Sequence, residues 1–278
     1  MVTSLLNINP HTRLMKTNNY RTIWISDLHI GSTQCQADIL LDFLKFNESE
    51  RLYLVGDIID FWALSKRVYW PRAHNTIIQK LLRKARHGTE VIYVPGNHDE
   101  NVRDYDEYIF GDITVKNSVI HTTVKGLKFL VVHGDEYDTI AKYHRWIAKL
   151  GSKGYDLLLE VNRVLRGVRR LFGLRSHFSL AAFVKYKVKN AVQFISDYEE
   201  SIVATLNDEG LDGVICGHIH HAEMKDMNGF FYINTGDFVE SCTAIVEHFD
   251  GELELIQWKP LESGTRQSAD DGLPEMAT

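Results

Sequence analysis

The chain has 278 residues, enough for one large domain or two small ones, and at this length about 75% of the extended surface would be buried. A formal net charge of −6 argues against a general binder of nucleic-acid phosphates, which needs a basic surface. No apolar run approaches the ~20 residues of a membrane span. The amino-terminal segment lacks the apolar core of a signal peptide. Three cysteines, Cys35, Cys216 and Cys242, match no metal or redox spacing, so a reducing, cytoplasmic compartment is expected.

In chain order, residues 1–20 are polar and aperiodic and are expected to be a flexible lead-in. Arg21–Ser26 reads as a first strand, and Asp38–Phe46, with Ile39, Leu40, Phe43 and Leu44 on one face, as an amphipathic helix. Arg51–Val55 is a second strand. Asn75–Arg86 repeats the helical pattern and is closed by His87-Gly88. Glu90–Val94 is a third strand, so the first part of the chain predicts a parallel α/β layer. Ser118–Val124 and Leu127–Val132 flank Lys125-Gly126, and Thr243–Phe249 and Glu252–Trp258 flank Asp250-Gly251, both hairpin signals. The later strands are therefore expected to pair antiparallel, giving mixed sheets. The tail 260–278, rich in Ser, Gly and acids, is expected to be disordered.

Five strand ends share one feature: a short apolar or β-branched run stops and delivers Asp, His or Asn. They are Asp27-Leu28-His29, Gly56-Asp57, Gly96-Asn97-His98-Asp99, His133-Gly134 and Gly217-His218-Ile219-His220. One such junction is an ordinary polar turn, whereas five in order point to side chains gathered at the carboxyl edge of a sheet.

Two divalent cations held ~3.5–4 Å apart can clamp the attacking and leaving oxygens of a phosphoryl displacement and lower the pKa of a bound water. The pair needs one ligand that reaches both ions, and Asp57, alone at its strand end, is the natural candidate. Asp27 and His29 are expected to alternate along an extended segment and so to point the same way. His218 and His220 share that spacing and would reach one ion each, and Asn97 and His133 would complete the second site. Carboxylate, amide and imidazole without thiolate suit manganese, iron or zinc better than calcium. His98 would protonate the leaving oxygen or bind phosphate charge, with Asp99 orienting it.

The gap between His133 and His218 exceeds a simple helical crossover by roughly fifty residues. Residues 138–196 form this insertion. Leu157, Val161, Val164, Val168 and Leu171 are helically spaced, and several Arg and Lys lie between them. Such a segment suits a surface touching lipid tails and anionic head groups, or an ordinary helical cap with a solvated basic face. Lys185 and Lys189, four apart, would face one side and bind a substrate diphosphate.

Together, the five motifs resemble those of calcineurin-like metallophosphoesterases, over about Arg21–Trp258. The resemblance implies a sandwich of two mixed β-sheets flanked by helices, within residues 21–259. It implies one metal on Asp27, His29, Asp57 and His220, a second on Asp57, Asn97, His133 and His218, and His98 as the catalytic histidine. Gly56 to Trp62, His133-Gly134-Asp135 and the insertion further resemble the UDP-2,3-diacylglucosamine pyrophosphatase family of lipid A synthesis. There the insertion is a lid over acyl chains, and the products are UMP and 2,3-diacylglucosamine 1-phosphate. That resemblance implies a nucleotide-linked glycolipid substrate and peripheral contact with the inner membrane; manganese is the metal expected first for the donor set, and the net charge leaves no nucleic acid expected as partner. One position departs: the better-known branch has Arg where this chain has His98. A soluble metallophosphodiesterase or phosphatase is the alternative, and a non-catalytic binding scaffold a third reading. No motif ligand is missing, as such a scaffold would predict.

Overall fold

The computed structural model describes residues 17–137 and 210–259, with 195, 198–200, 202 and 203. Residues 1–16 of the expected lead-in, the 260–278 tail and nearly all of the 138–196 insertion, including Lys185 and Lys189, lie outside the described residues.

The elements run β1 (Asn18–Ile25), α1 (Ala37–Phe46), β2 (Asn47–Val55), α2 (Phe61–Lys66), α3 (Arg72–Arg86) and β3 (Glu90–Val94). After these come β4 (Ile109–Phe110), β5 (Ile113–Val115), β6 (Val119–Thr122), β7 (Lys128–Val131) and β8 (Gly213–Cys216). The described chain closes with β9 (Glu223–Met227), β10 (Phe230–Asn234), β11 (Thr243–Glu247) and β12 (Leu253–Gln257). One sheet has the order β12-β11-β1-β2-β3-β5-β4, the other β6-β7-β8-β10-β9. In the first, β1, β2, β3 and β5 are parallel and β11 joins β1 antiparallel. In the second, β7, β8 and β10 are parallel and both edge strands antiparallel. Both sheets are thus mixed, in an α/β fold.

Alternation of side chains along a strand explains the layers. Ile23, Ile25, Leu52, Leu54 and Val91 point to one face and are buried with Leu40 and Phe43 of α1 and Ile77 and Leu81 of α3. Their neighbours Trp24, Tyr53, Val55, Ile92 and Val94 point to the other face. There they meet Phe129, Val131, Ile215 and Ile233 of the second sheet. That sheet's outer face, through Val214, Cys216 and Tyr232, packs on Tyr198 and Ile202. The central strands β1, β2 and β3 are covered on both faces, as their nearly unbroken apolar runs require.

β1 and β2 both begin before the strands read from the sequence. The first strand starts at Asn18, inside the expected lead-in, because Asn18, Asn19 and Tyr20 pair with Asn47, Glu48 and Ser49. The Asn18 amide also donates to Asn47 Oδ1 at 2.9 Å. Backbone pairing, which carries no side-chain signature, extends both strands beyond their apolar runs.

Candidate metal centre

All five junctions lie at carboxyl ends of parallel strands, in both sheets. The loops after β1 and β2 continue side by side: Asp27 N donates to Gly56 O at 3.0 Å and His29 N to Asp57 O at 2.9 Å. Gly217 N donates to His133 O at 3.1 Å, joining the loops after β7 and β8.

The local backbone is not the extended one expected from the spacing of two. Asp27, His29, Asp57, His218 and His220 all have positive φ, between 47° and 73°. Side chains rarely adopt this left-handed region, and each such residue costs of order 1 kcal/mol. The tight left-handed turns, not strand alternation, bring Asp27 with His29 and His218 with His220 into the centre. Glycine serves the same crowding. A Cβ on Gly56 (φ +74°) would enter the space of the His133 ring, and one on Gly96 would meet Asp57 Oδ1 and His133.

The expected ligands converge. His220 Nε2 is 3.2 Å from Asp27 Oδ1 and 3.4 Å from His29 Nε2. His133 Nε2 is 3.4 Å from Asp57 Oδ1, and His29 Nε2 is 3.9 Å from Asp57 Oδ2. Asp27, His29 and His220 form one group that could hold an ion, and Asp27, Asp57 and His133 another. Asp57 has one oxygen toward each side. The His218 ring stands 5.2 Å from that of His133, centroid to centroid.

A cation fits this donor set. Asp27 Oδ1, Asn97 Oδ1 and His133 Nε2 are buried and make no hydrogen bond. Such groups are costly unless something else completes them. His133 Nδ1 donates to Val55 O at 3.1 Å, which leaves Nε2 as the atom facing Asp57. The charges agree. Burial opposes a proton on His133, yet Asp57 and Asp27 outweigh it and push its pKa up to about 10. Burial likewise works against charge on Asp57, but the His133, His98 and His29 rings hold its carboxyl well below the usual range. This concentration of negative potential is what a divalent cation would neutralise.

His98 lies beside Asp57 and is held by a neighbour other than the expected one. Its Nε2 lies 3.9 Å from Asp57 Oδ2, and its Nδ1 lies 2.9 Å from Asp60 Oδ1. Trp62 packs over its ring at 4.2 Å between centroids. Burial opposes charge on His98, but Asp60 and Asp57 raise its pKa above the ordinary value. The expectation that Asp99 orients this ring is corrected. Asp99 is fully buried and accepts from Gly96 N at 2.6 Å, Ile58 N at 2.8 Å and the Tyr93 hydroxyl at 2.5 Å. Its lone pairs hold backbone, so it shapes the turns and does not touch His98.

Asp60 is the residue the sequence reading missed. One carboxylate serves His98 through Oδ1 and His29 Nδ1 through Oδ2, at 3.2 Å. It also caps α2, accepting from Ala63 N at 2.7 Å. The signal available was an Asp three positions after Asp57 at a helix start, which reads simply as a cap. Arg103 is paired with Asp135 at 2.6 Å.

Fold and site together define a phosphoester hydrolase built around acidic and imidazole ligands. The calcineurin-like phosphoesterase family model matches residues 20–222, and the chain belongs to that family. It is a metal-dependent hydrolase of phosphoesters. A protein named UDP-2,3-diacylglucosamine hydrolase from Shewanella halifaxensis is 23% identical over 248 residues, covering 85% of this chain and 98% of that one. Its namesake from Neisseria meningitidis serogroup B is 26% identical over 236 residues, covering 82% and 94%. An archaeal phosphodiesterase of known structure, 14% identical, aligns over 85% of this chain and 98% of that one. Its TM-score of 0.39 is too low to carry weight. Among the described residues no helix is long and apolar enough to cross a membrane.

Proposed function

We propose that this chain hydrolyses UDP-2,3-diacylglucosamine to UMP and 2,3-diacylglucosamine 1-phosphate at the cytoplasmic surface of the inner membrane. The observation that carries the substrate is the alignment with proteins of that name over 94–98% of their length. The chemistry rests on the convergence around Asp57. Asp27, His29, Asp57 and His220 would hold one divalent cation, and Asp57, Asn97, His133 and His218 a second. Oxygen and imidazole donors without thiolate favour manganese, with iron or zinc as substitutes. When bound, the pair supplies Lewis acidity to the phosphoryl group and activates water.

The chain's own residues do the rest. His98 is held by Asp60 on one side and faces Asp57 on the other, with a quarter of its side chain open to solvent. Protonated, it gives its Nε2 proton to the departing oxygen or pairs with the phosphoryl charge. Asp60 fixes the rings of His98 and His29 together, so the proton donor and a ligand keep a constant separation. Lys185 and Lys189 are proposed to hold the diphosphate.

The test is release of UMP from UDP-2,3-diacylglucosamine by purified protein with Mn2+. No turnover of that lipid removes the substrate assignment. A second reading, a phosphodiesterase for water-soluble esters, draws on His98 standing where the better-known branch has Arg. It gains if a soluble diester is cleaved without lipid or detergent and the glycolipid is not.

A further inference from the structure

The segment after Asp60 has a character the metal centre does not explain. α2 buries none of its residues. Beyond it, Val68, Tyr69 and Trp70 form an exposed apolar run, Val68 at 79%. Lys66, Arg67 and Arg72 bracket the run, all exposed. Among the described residues none of these three makes an ion pair. From Phe61 to Thr89 the sequence holds seven Lys or Arg and no Asp or Glu, inside a chain of net charge −6. Part of that excess has a local cause: Arg83, Lys84 and Arg86 lie in the last turn of α3, where cations meet the carbonyl end of the helix. Lys84 also pairs with Glu48 at 2.6 Å. Lys66 likewise ends α2; Arg67 and Arg72, on either side of the apolar run, have no such account.

The run is anchored. Buried His74 meets the rings of Tyr69 and Trp70 edge-on at 5.6 and 5.8 Å. Its Nδ1 accepts from Gly31 N at 3.1 Å, two residues past His29. The exposed tip is therefore tied to the loop that carries a candidate ligand.

Three protruding apolar side chains are too few to cross a bilayer and suited to entering its interface, where Trp and Tyr are favoured. Cations at the same height meet anionic head groups, each worth about fivefold in partition. Stable seating takes two such signals, and this tip has both. We propose that residues 66–72 form a contact tip that seats the chain on an anionic lipid bilayer and holds the His29 loop beside the head groups. The inference deepens the reading of a lipid-borne substrate, and it places the contact outside the 138–196 insertion.

The experiment is co-sedimentation of the full chain with vesicles of mixed phosphatidylglycerol and phosphatidylcholine, against pure phosphatidylcholine. Neither vesicle contains sugar or nucleotide, so failure of the substrate assignment leaves the result intact. Binding to the anionic vesicles is expected, weakened about tenfold or more by R67E/R72E and clearly by V68D. Turnover of soluble bis(p-nitrophenyl) phosphate should be unchanged in both variants, which also reports that they fold. Absence of binding to anionic vesicles overturns the proposal. So does binding that both variants retain, which would place the contact elsewhere. Binding of single-stranded RNA, lost in the same variants while vesicles are ignored, would assign the tip to a nucleic acid instead.

Discussion

The two ends of the β-sandwich each bury a cluster of acids and histidines, and they treat them in opposite ways. Away from the metal centre, Glu247 accepts from Arg21 at 2.7 Å, Val124 N at 2.9 Å, Thr22 Oγ at 2.9 Å and His121 Nε2 at 3.1 Å. His121 Nδ1 lies 3.3 Å from the Tyr53 hydroxyl. Both oxygens of Glu247 and both nitrogens of His121 have protein partners, on strands of both sheets. At the other end, Asp27 Oδ1, Asn97 Oδ1 and His133 Nε2 make no hydrogen bond, and five candidate ligands sit at positive φ. A buried polar cluster completed by the protein binds the sheets together. One left incomplete, on a strained backbone, keeps places for a ligand.

The sharpest way to break this contrast is Asp57→Ala. It should reduce turnover by about four orders of magnitude or more, since several kcal/mol of charge stabilisation would go. Metal analysis should show less than the full complement of ions. Retention of both ions and of activity would end the account of Asp57 as the shared ligand. His98→Asn should cost about a thousandfold in turnover with metal content unchanged, as loss of an acid–base group does. If ions are lost with it, His98 is a ligand.

At the opposite end the effect should fall on stability alone. Glu247→Ala strands Arg21 and His121 and should destabilise by about 3 kcal/mol in denaturant titration. Metal content and activity of the folded protein should not change. The same group makes a pH prediction. Burial disfavours its charge, but the hydrogen bonds from His121, Val124 and Thr22 hold its pKa down to about 2, from an ordinary 4.5. A depressed folded pKa gives stability that is complete above 4.5 and is lost as pH falls toward 2. The stability gap between the native chain and Glu247→Gln should narrow over that window, and a gap independent of pH would contradict the assignment.

Asp60→Asn tests a finer point and should have the smallest effect, about 10–100-fold in activity or metal affinity. It should appear in both, because one carboxylate holds His98 and His29.

The contrast also explains what could be read from the chain alone. Strand–helix periodicity exposed the parallel layer, and abrupt apolar-to-polar junctions exposed the candidate ligands, because burial on both faces leaves unbroken apolar runs. The edge strands β4 and β9 did not show, since pairing at an edge needs no pattern, and β5 is only three residues long; β9 reads Glu-Met-Lys-Asp-Met. α2 buries nothing and so has no periodicity to find. The left-handed backbone at Asp27 and His29 was hidden for a different reason: spacing by two is the same in a strand and in a turn. Asp60, not Asp99, holds His98 because neighbours in sequence are not neighbours in space at a tight turn.

Asp99 has a wider consequence. By gripping the amides of Ile58 and Gly96 at once, it makes the turn bearing Asp57 and the turn bearing Asn97 a single mechanical part. Neither turn can drift without dragging its neighbour. Substitutions that loosen one should therefore be rescued, if at all, by compensating change in the other.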